Sequence, residues 1–183
     1  MEETNQQPTL FKHALRWGAI VGAVGVFCTI MLYVIDYTLM VQFKILIIFL
    51  LIYLGMIIYA GIEYRNSVGR YLTYGKAFQH GFLILATSGL IATLFNMLLY
   101  HVIDPELPEK LVEASLENAR AMMERFGAPP DSIDGELEKA ADRTRNQFTF
   151  SGQALGYLFI LIFSAIIASI SSLFVRRNEP VEI

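Results

Sequence analysis

Ionisable side chains at the ends of long apolar stretches are the first candidates for chemistry in this sequence. Asp36 and Asp104 each follow an apolar stretch, and His101 lies one helical turn before Asp104. Carboxylate and imidazole groups bind divalent metals, and imidazole also relays protons near neutral pH. Aspartates at helix ends more often act as caps, and three ligands from separate elements form a weak metal pattern. We therefore treat Asp36, His101 and Asp104 as a polar cluster on the outer side, and we expect neither a metal nor a cofactor.

Basic and aromatic residues are concentrated in the stretch RNSVGRYLTYGKAF, between two stretches that carry almost no charge. Its candidate residues are Arg65, Arg70, Lys76, Tyr71 and Tyr74. Arginine and lysine are attracted to an anionic membrane leaflet, and tyrosine rings favour the same headgroup depth. The first interpretation is therefore an interfacial anchor. The alternative is a pocket for a phosphate headgroup, such as a phosphoinositide-like or polyprenyl-phosphate lipid, in which the arginines donate charge-assisted hydrogen bonds.

The sequence contains none of the short motifs that mark common active sites. HExxH, CxxC, GxSxG and GxxxxGK[ST] are all absent, and each of these would supply a metal-ligand set, a nucleophile or a phosphate cradle. The single cysteine, Cys28, excludes an intramolecular disulfide. We expect a protein that is not an enzyme.

Length and composition indicate which elements position these residues. Of the 183 residues, 55% are apolar and 17% are charged, with a net charge of −3. This balance offers no basic surface for nucleic acid. A helix crosses the hydrocarbon region of a bilayer with roughly 20 apolar residues. Four stretches of about this length lack Asp, Glu, Lys and Arg: residues 17–35, 45–62, 77–103 and 153–175.

A polar segment separates the last two apolar stretches. Residues 104–147 contain eleven acidic and six basic residues. Asp104-Pro105 is typical of a helix start. Apolar residues then recur at helical spacing: Leu107, Leu111, Met122 and Phe126. Gly127 and the following APP end this helix and a second begins near Asp131, so we predict an antiparallel helical hairpin whose apolar stripes pack together.

The predicted fold class is all-α: an integral membrane four-helix bundle with an extramembrane helical hairpin between spans three and four. Lysine and arginine stay on the cytoplasmic side, and the first span, preceded by Lys12 and Arg16, usually decides the orientation. We therefore expect both termini in the cytoplasm. The predicted segments are a cytoplasmic N-terminal segment (1–16), transmembrane helices one to three (17–103), an extracytoplasmic hairpin (104–147), transmembrane helix four (148–176) and a cytoplasmic tail (177–183).

Small and polar residues on the spans predict where the helices touch. In lipid, helices associate through close backbone approach and through interhelical hydrogen bonds. The candidates for such contacts are Gly18, Gly22, Gly25, Gly152, Gly156 and Asn96. The same faces are suited to a homodimer, an alternative that the sequence leaves open.

Three stretches carry a resemblance to a known family: YRNSVGRYLTYGKAFQHGF, then YHVIDPEL, and the last apolar stretch with its closing Arg176 and Arg177. They resemble an uncharacterised bacterial membrane family, domain of unknown function 4199. The resemblance implies four predicted spans and a place in the bacterial inner membrane. It transfers no active site.

Three classes of function follow as expectations. The leading one is a non-enzymatic scaffold or accessory subunit whose acidic hairpin meets a protein partner or a second copy of the chain. The runner-up is an accessory for binding or transport of an anionic lipid intermediate through Arg65, Arg70 and Lys76. The third in order is a channel or proton-coupled transporter that uses Asp36, Asn96 and His101. In each case the lipid bilayer is a partner and nucleic acid is not.

Overall fold

The predicted all-α fold is confirmed by a computed structural model, which describes residues 9–178 with the exception of the Asp131 side chain. Within this range no β-strand forms. The six helices are α1 (Leu10–Asp36), α2 (Phe43–Ser67), α3 (Tyr74–Leu98), α4 (Leu107–Arg125), α5 (Pro130–Gln147) and α6 (Phe150–Val175). A 3₁₀ turn, Tyr37–Val41, follows α1, and a π-helical turn, Leu99–Ile103, follows α3. Residues 1–8 of the predicted N-terminal segment and 179–183 of the predicted tail lie outside the described residues.

Four of these helices are long and apolar enough to cross a membrane. The candidate spans are Leu10–Val41, Phe43–Ser67, Tyr74–Ile103 and Phe150–Val175. At most 28% of the most apolar window of each span is buried inside the protein. Large apolar side chains such as Phe43, Phe163 and Leu173 are therefore exposed on their outer surfaces. An apolar surface of this extent indicates contact with lipid.

The helices extend beyond the uncharged stretches of the sequence. Helix α1 begins at Leu10 rather than at the expected residue 17, and thus includes Lys12 and Arg16. The Thr9 hydroxyl accepts a hydrogen bond from the Lys12 amide, which satisfies one of the free amides at this helix start. Lack of charge marks the part of a helix that suits hydrocarbon, whereas the helix itself ends where its backbone hydrogen bonds end.

The chain divides into two compact units. The first comprises residues 1–25, 50–91 and 159–183, and the second comprises 26–49 and 92–158. The core of the first unit is built from buried residues of all four long helices: Ala14, Val21, Ile57, Ala60, Ile84, Leu85 and Ala168. The core of the second unit joins the end of α3 to the start of α4: Leu99, Tyr100, Leu107 and Leu111.

Glycines of α1 lie against two other helices. A Cβ atom added to Gly18 would stand 2.6 Å from Thr87 Cβ, and one added to Gly22 would stand 2.9 Å from Ile91 Cδ1, both on α3. Gly25 faces the Tyr53 hydroxyl of α2. The missing side chains thus allow α1 to approach its neighbours closely, as helices in lipid do.

The two glycines of α6 that the sequence singled out have other surroundings. Gly152 faces the backbone carbonyl of Asn146, just before its own helix, and Gly156 has open space where a Cβ would lie. The close approach to α6 occurs instead through Gly61 of α2, beside Val175, and Gly81 of α3, beside Ser171. Gly81 lies on the small-residue face that the sequence predicts for span three, whereas no pattern in the sequence indicates a contact at Gly61.

The helical hairpin consists of α4 and α5, which pack antiparallel. Arg145 pairs with Glu109, and Arg120 pairs with Asp134 nearer the closed end. Leu107 and Leu111 are buried as predicted, whereas Met122 is 60% exposed and Phe126 is 80% exposed. The expected apolar stripe therefore does not continue to the end of α4. Ile133 and Leu137 supply the buried residues of α5.

We expect Gly18→Ala to lower the free energy of unfolding by about 1–3 kcal/mol, because the added methyl group would collide with Thr87. Unfolding in mixed micelles of sodium dodecyl sulfate and a mild detergent measures this change. Gly156→Ala is the matched control, since its methyl group enters open space. Equal losses of stability in both variants would contradict the packing described for α1.

Candidate functional site

A short connection between α2 and α3 is attached to the end of α6 by backbone hydrogen bonds. The Leu72 amide donates to the Arg177 carbonyl at 2.9 Å, and the Arg177 amide donates to the Leu72 carbonyl at 3.0 Å. The Leu72 side chain is buried beneath this pair. The two segments therefore hold each other in place, and the charged end of α6 lies beside the start of α3.

Arg65 makes a further contact to the end of α6. Its Nη1 donates to the Val175 carbonyl at 3.0 Å. Val175 is the last residue of α6, and carbonyls at a helix end lack a partner within the helix. The guanidinium group of Arg65 thus caps α6 instead of facing a ligand.

Arg70 closes the end of α2 through its backbone. Gly69 and Arg70 have positive φ angles of 94° and 70°, and the Arg70 amide donates to the Arg65 carbonyl at 2.9 Å. This backbone arrangement is the common way for a helix to end in a left-handed turn. The Arg70 side chain is exposed.

A cavity of about 880 Å³ lies beside these segments. Its polar lining includes Tyr64, Tyr71, Thr73, Lys76 and Arg177, and none of the lining residues among residues 9–178 is acidic. Within residues 9–178, neither Lys76 nor Arg177 forms an ion pair with a carboxylate. Two cations and several hydroxyl groups therefore face one space, which suits an anionic oxygen-rich group.

The structure separates the five interfacial candidates of the sequence analysis. Lys76 and Tyr71 line the cavity, whereas Arg65 and Arg70 do not. The Tyr74 hydroxyl donates to the Ser169 carbonyl of α6 at 3.4 Å, outside the cavity lining. Tyr64, which the sequence indicates as an interfacial ring together with Tyr71 and Tyr74, also lines the cavity. Arg177 is an unexpected member of the lining, because only the backbone contact with Leu72 brings the end of α6 to this place.

Two histidines from different helices meet in the interior next to the cavity wall. His13 Nδ1 of α1 lies 2.9 Å from His80 Nε2 of α3. His13 is 6% exposed and His80 is fully buried. The Tyr64 ring, which also lines the cavity, is stacked on His80 with ring centroids 4.9 Å apart. The sequence analysis did not select this pair, because the 66 intervening residues give no sign that the two imidazoles share one contact.

A carboxylate lies near the histidine pair, and one ring nitrogen of each histidine has no hydrogen-bond partner. Glu63 Oε1 lies 3.6 Å from His13 Nε2, within reach of an ion pair when the imidazole is protonated. His13 Nε2 and His80 Nδ1 are both buried and have no hydrogen-bond partner. Buried polar atoms without partners are costly, so this pair is a second candidate for function.

The three residues of the predicted outer cluster are engaged in separate local contacts. Asp36 accepts hydrogen bonds from the Thr38 amide and hydroxyl. Asp104 accepts from two amides at the start of α4 and from the Tyr33 hydroxyl. The His101 ring is stacked on Phe150, with centroids 3.9 Å apart. Within residues 9–178, no group of three or more His, Cys, Asp or Glu residues could hold a metal ion.

Asn96 lies in the second unit beside a smaller cavity. Its Oδ1 atom is buried without a hydrogen-bond partner. The cavity has a volume of about 220 Å³, and its lining includes Asn96, Tyr100 and Phe148. An interhelical hydrogen bond, which the sequence led us to expect of Asn96, is not formed by this oxygen.

The hairpin carries the strongest ion pair of the described residues outside the candidate spans. Arg145 donates to both carboxylate oxygens of Glu109, at 2.7 and 3.1 Å. This hydrogen bonding holds the pKa of Glu109 below its usual value and raises the pKa of Arg145. The pair fixes α5 against α4 at the open end of the hairpin.

A family model described as protein of unknown function (DUF4199) matches residues 16–177. The chain belongs to this family. The resemblance noted in the sequence is thereby confirmed, and the match extends over all six helices of the DUF4199 chain except the first turns of α1. No curated protein and no solved structure matches the sequence.

We expect Arg65→Ala to destabilise the DUF4199 protein by about 1–3 kcal/mol, because the Val175 carbonyl would lose a donor with a full charge. Arg70→Ala should change stability by no more than about 0.5 kcal/mol, because its exposed side chain makes no such contact. The free energy of unfolding in mixed micelles distinguishes the two arginines. A larger loss for Arg70→Ala would refute the capping role of Arg65.

Proposed function

We propose that this protein is a non-enzymatic, multi-pass protein of the bacterial inner membrane that binds an anionic lipid headgroup. Four long apolar helices support membrane insertion, and the basic residues in the first turns of α1 and after α6 support cytoplasmic termini. The absence of catalytic motifs from the sequence supports a binding role over an enzymatic one. In this arrangement the α4–α5 hairpin lies on the extracytoplasmic side, between spans three and four.

The cavity beside the connection from α2 to α3 is the observation that carries this proposal. Lys76 and Arg177 face it without a carboxylate partner among the described residues, and Tyr71 and Thr73 add hydroxyl groups. A phosphate oxygen accepts charge-assisted hydrogen bonds from lysine and arginine. With cytoplasmic termini, the cavity opens at the depth of the inner-leaflet headgroups, where anionic lipids are concentrated.

Apolar surfaces at both sides of the candidate site fit a lipid better than a free anion. Phe174 and Leu173 of α6 are exposed just before the Arg177 contact. Tyr71 and Tyr74 are exposed at the start of α3, and such rings favour the boundary between headgroups and acyl chains. A ligand with a phosphate group and acyl chains would satisfy both the cavity and these surfaces.

Removal of the two cations tests the headgroup site. Lys76→Gln combined with Arg177→Gln should reduce the anionic lipid retained after purification in mild detergent by at least about tenfold, because each charged hydrogen bond contributes about 1.5–3 kcal/mol. Native mass spectrometry measures the retained lipid.

Arg70→Gln combined with Arg176→Gln is the matched control for that experiment. It removes the same charge from exposed positions that do not line the cavity. Retention by the control variant supports a built site. An equal loss in both double variants would show that only general surface charge attracts the lipid, and would refute the proposal.

The hairpin supports a second candidate function, that of a scaffold or accessory subunit. Met122 and Phe126 are exposed near its closed end, so their side chains contribute little to the packing of the hairpin itself. Glu113, Glu117 and Glu138 line a shallow groove of the hairpin. Arg120 also lines this groove, and acidic residues outnumber basic ones eleven to six over residues 104–147. An exposed apolar anchor on an acidic hairpin fits a protein partner that presents an apolar pocket with a basic rim.

A photo-crosslinking amino acid at Ala121 tests the scaffold role in cells. We expect a discrete cross-linked product that is lost in the Met122→Ser, Phe126→Ser variant and in the variant with Gln at positions 113, 117 and 138. Asn118→Ser, an exposed change on the same helix, is the control. The mass of the product distinguishes a second copy of the chain from another protein. A product that persists in both variants would contradict docking through this surface.

A further inference from the structure

One proton lies in the hydrogen bond between the imidazoles of His13 and His80. A neutral imidazole has one N–H and one bare nitrogen, so one ring donates to the other across the 2.9 Å contact. In the neutral pair, two of the four ring nitrogens are left for other partners. These are His13 Nε2 and His80 Nδ1, and both are buried without a hydrogen bond.

Uptake of one further proton would give His13 a partner on both sides. His13 would then donate from Nδ1 to His80 Nε2 and present its Nε2 proton to Glu63 Oε1, 3.6 Å away. The two imidazoles share this added charge, while a second added proton would place two like charges side by side. The pair is therefore built to hold one additional proton and not two.

Among residues 9–178, the other charged and titratable groups around the pair come from three helices. Arg16 of α1 acts on His13 electrostatically, and α2 supplies Glu63 and Tyr64. From α3, His80 itself faces His13. Helix α6 has no ionisable side chain between Tyr157 and its end at Val175. Glu63 is thus the carboxylate that balances a protonated pair.

We propose that His13 and His80 form one proton-binding site that regulates the headgroup cavity, with the protonated pair favouring an anionic ligand. This inference rests on the headgroup function proposed above. The link is Tyr64, which is stacked on His80 and also lines the cavity. The Tyr64 ring also contacts His13, with ring centroids 5.1 Å apart. A cationic imidazole is attracted to a tyrosine ring, so protonation of His13 strengthens the contact that positions the cavity wall.

The charge itself acts in the same direction as this packing effect. Because Tyr64 contacts the histidine pair and also lines the cavity, we take the distance from the added charge to a bound anion to be on the order of 10 Å. At an effective dielectric constant of about 20, one unit charge at this distance changes affinity for a monoanion on the order of tenfold. Binding is therefore tighter at a pH at which the pair is protonated and weaker at a pH at which it is neutral.

Nuclear magnetic resonance of protein labelled with ¹⁵N-histidine tests the proton site without any ligand. The chain has three histidines, and His101 belongs to the second unit and serves as an internal reference. We expect a scalar coupling through the hydrogen bond between His13 and His80 nitrogens, and uptake of one proton by the pair as a whole when the pH is lowered. Independent titration of His13 and His80, each by a full proton, would overturn the proposal.

Binding of dihexanoyl phosphatidylglycerol to detergent-purified protein tests the regulation, because this lipid keeps its single negative charge well below neutral pH. Wild type should bind about tenfold more tightly at a pH at which the resonance experiment finds the pair protonated than at a pH at which it finds the pair neutral. His80→Gln should abolish this difference, and His101→Gln should retain it. Glu63→Gln should move the transition to lower pH, since the protonated pair loses its balancing charge.

The outcomes separate this inference from the headgroup function. Binding that is independent of pH in wild type, yet abolished by Lys76→Gln with Arg177→Gln, would overturn the regulation and preserve the headgroup site. Absence of binding at both pH values would overturn the headgroup function and its regulation together. The measurements on wild type decide the matter even where His80→Gln does not fold.

Discussion

Every backbone amide and carbonyl of a helix with an apolar outer surface needs a hydrogen-bond partner within the protein, and this constraint shapes all other parts of the molecule. Hydrocarbon offers no partner to a backbone amide or carbonyl, so a chain in contact with it must satisfy these groups internally. The long helices do so along their length, and specific side chains do so at their ends. Asp36 and Asp104 accept hydrogen bonds from free amides at helix starts, and Arg65 donates a hydrogen bond to the last carbonyl of α6. Charged residues that the sequence offers as candidates for chemistry are thereby used to end helices.

The same constraint makes the few remaining polar groups informative. Lys76 and Arg177 have no carboxylate partner within residues 9–178, and they face a cavity bounded by hydroxyl groups. His13 and His80 are buried together, although each keeps one nitrogen unsatisfied. Tyr64 touches both features. The first unit therefore combines a cationic cavity and a buried titratable pair that share one aromatic residue.

The hairpin in the second unit is stabilised in a different way. Its open end is fixed by a bidentate contact between Arg145 and Glu109 and by the buried residues around Leu107. Near its closed end, Met122 and Phe126 are left exposed. Periodicity predicted the helix that carries them, but it could not tell a buried position from an exposed one, because α4 is longer than the part of it that other residues cover.

The sequence by itself determined the helical class, the four apolar spans, the hairpin between the last two and the family. These features depend on local composition and periodicity, and both can be read from neighbouring residues. Tertiary structure decided which candidates share a site. Arg65 and Lys76 look alike in sequence, yet one caps α6 and the other lines the cavity. His13, His80 and Arg177 come from distant parts of the chain, and only helix packing determines which of their faces meet.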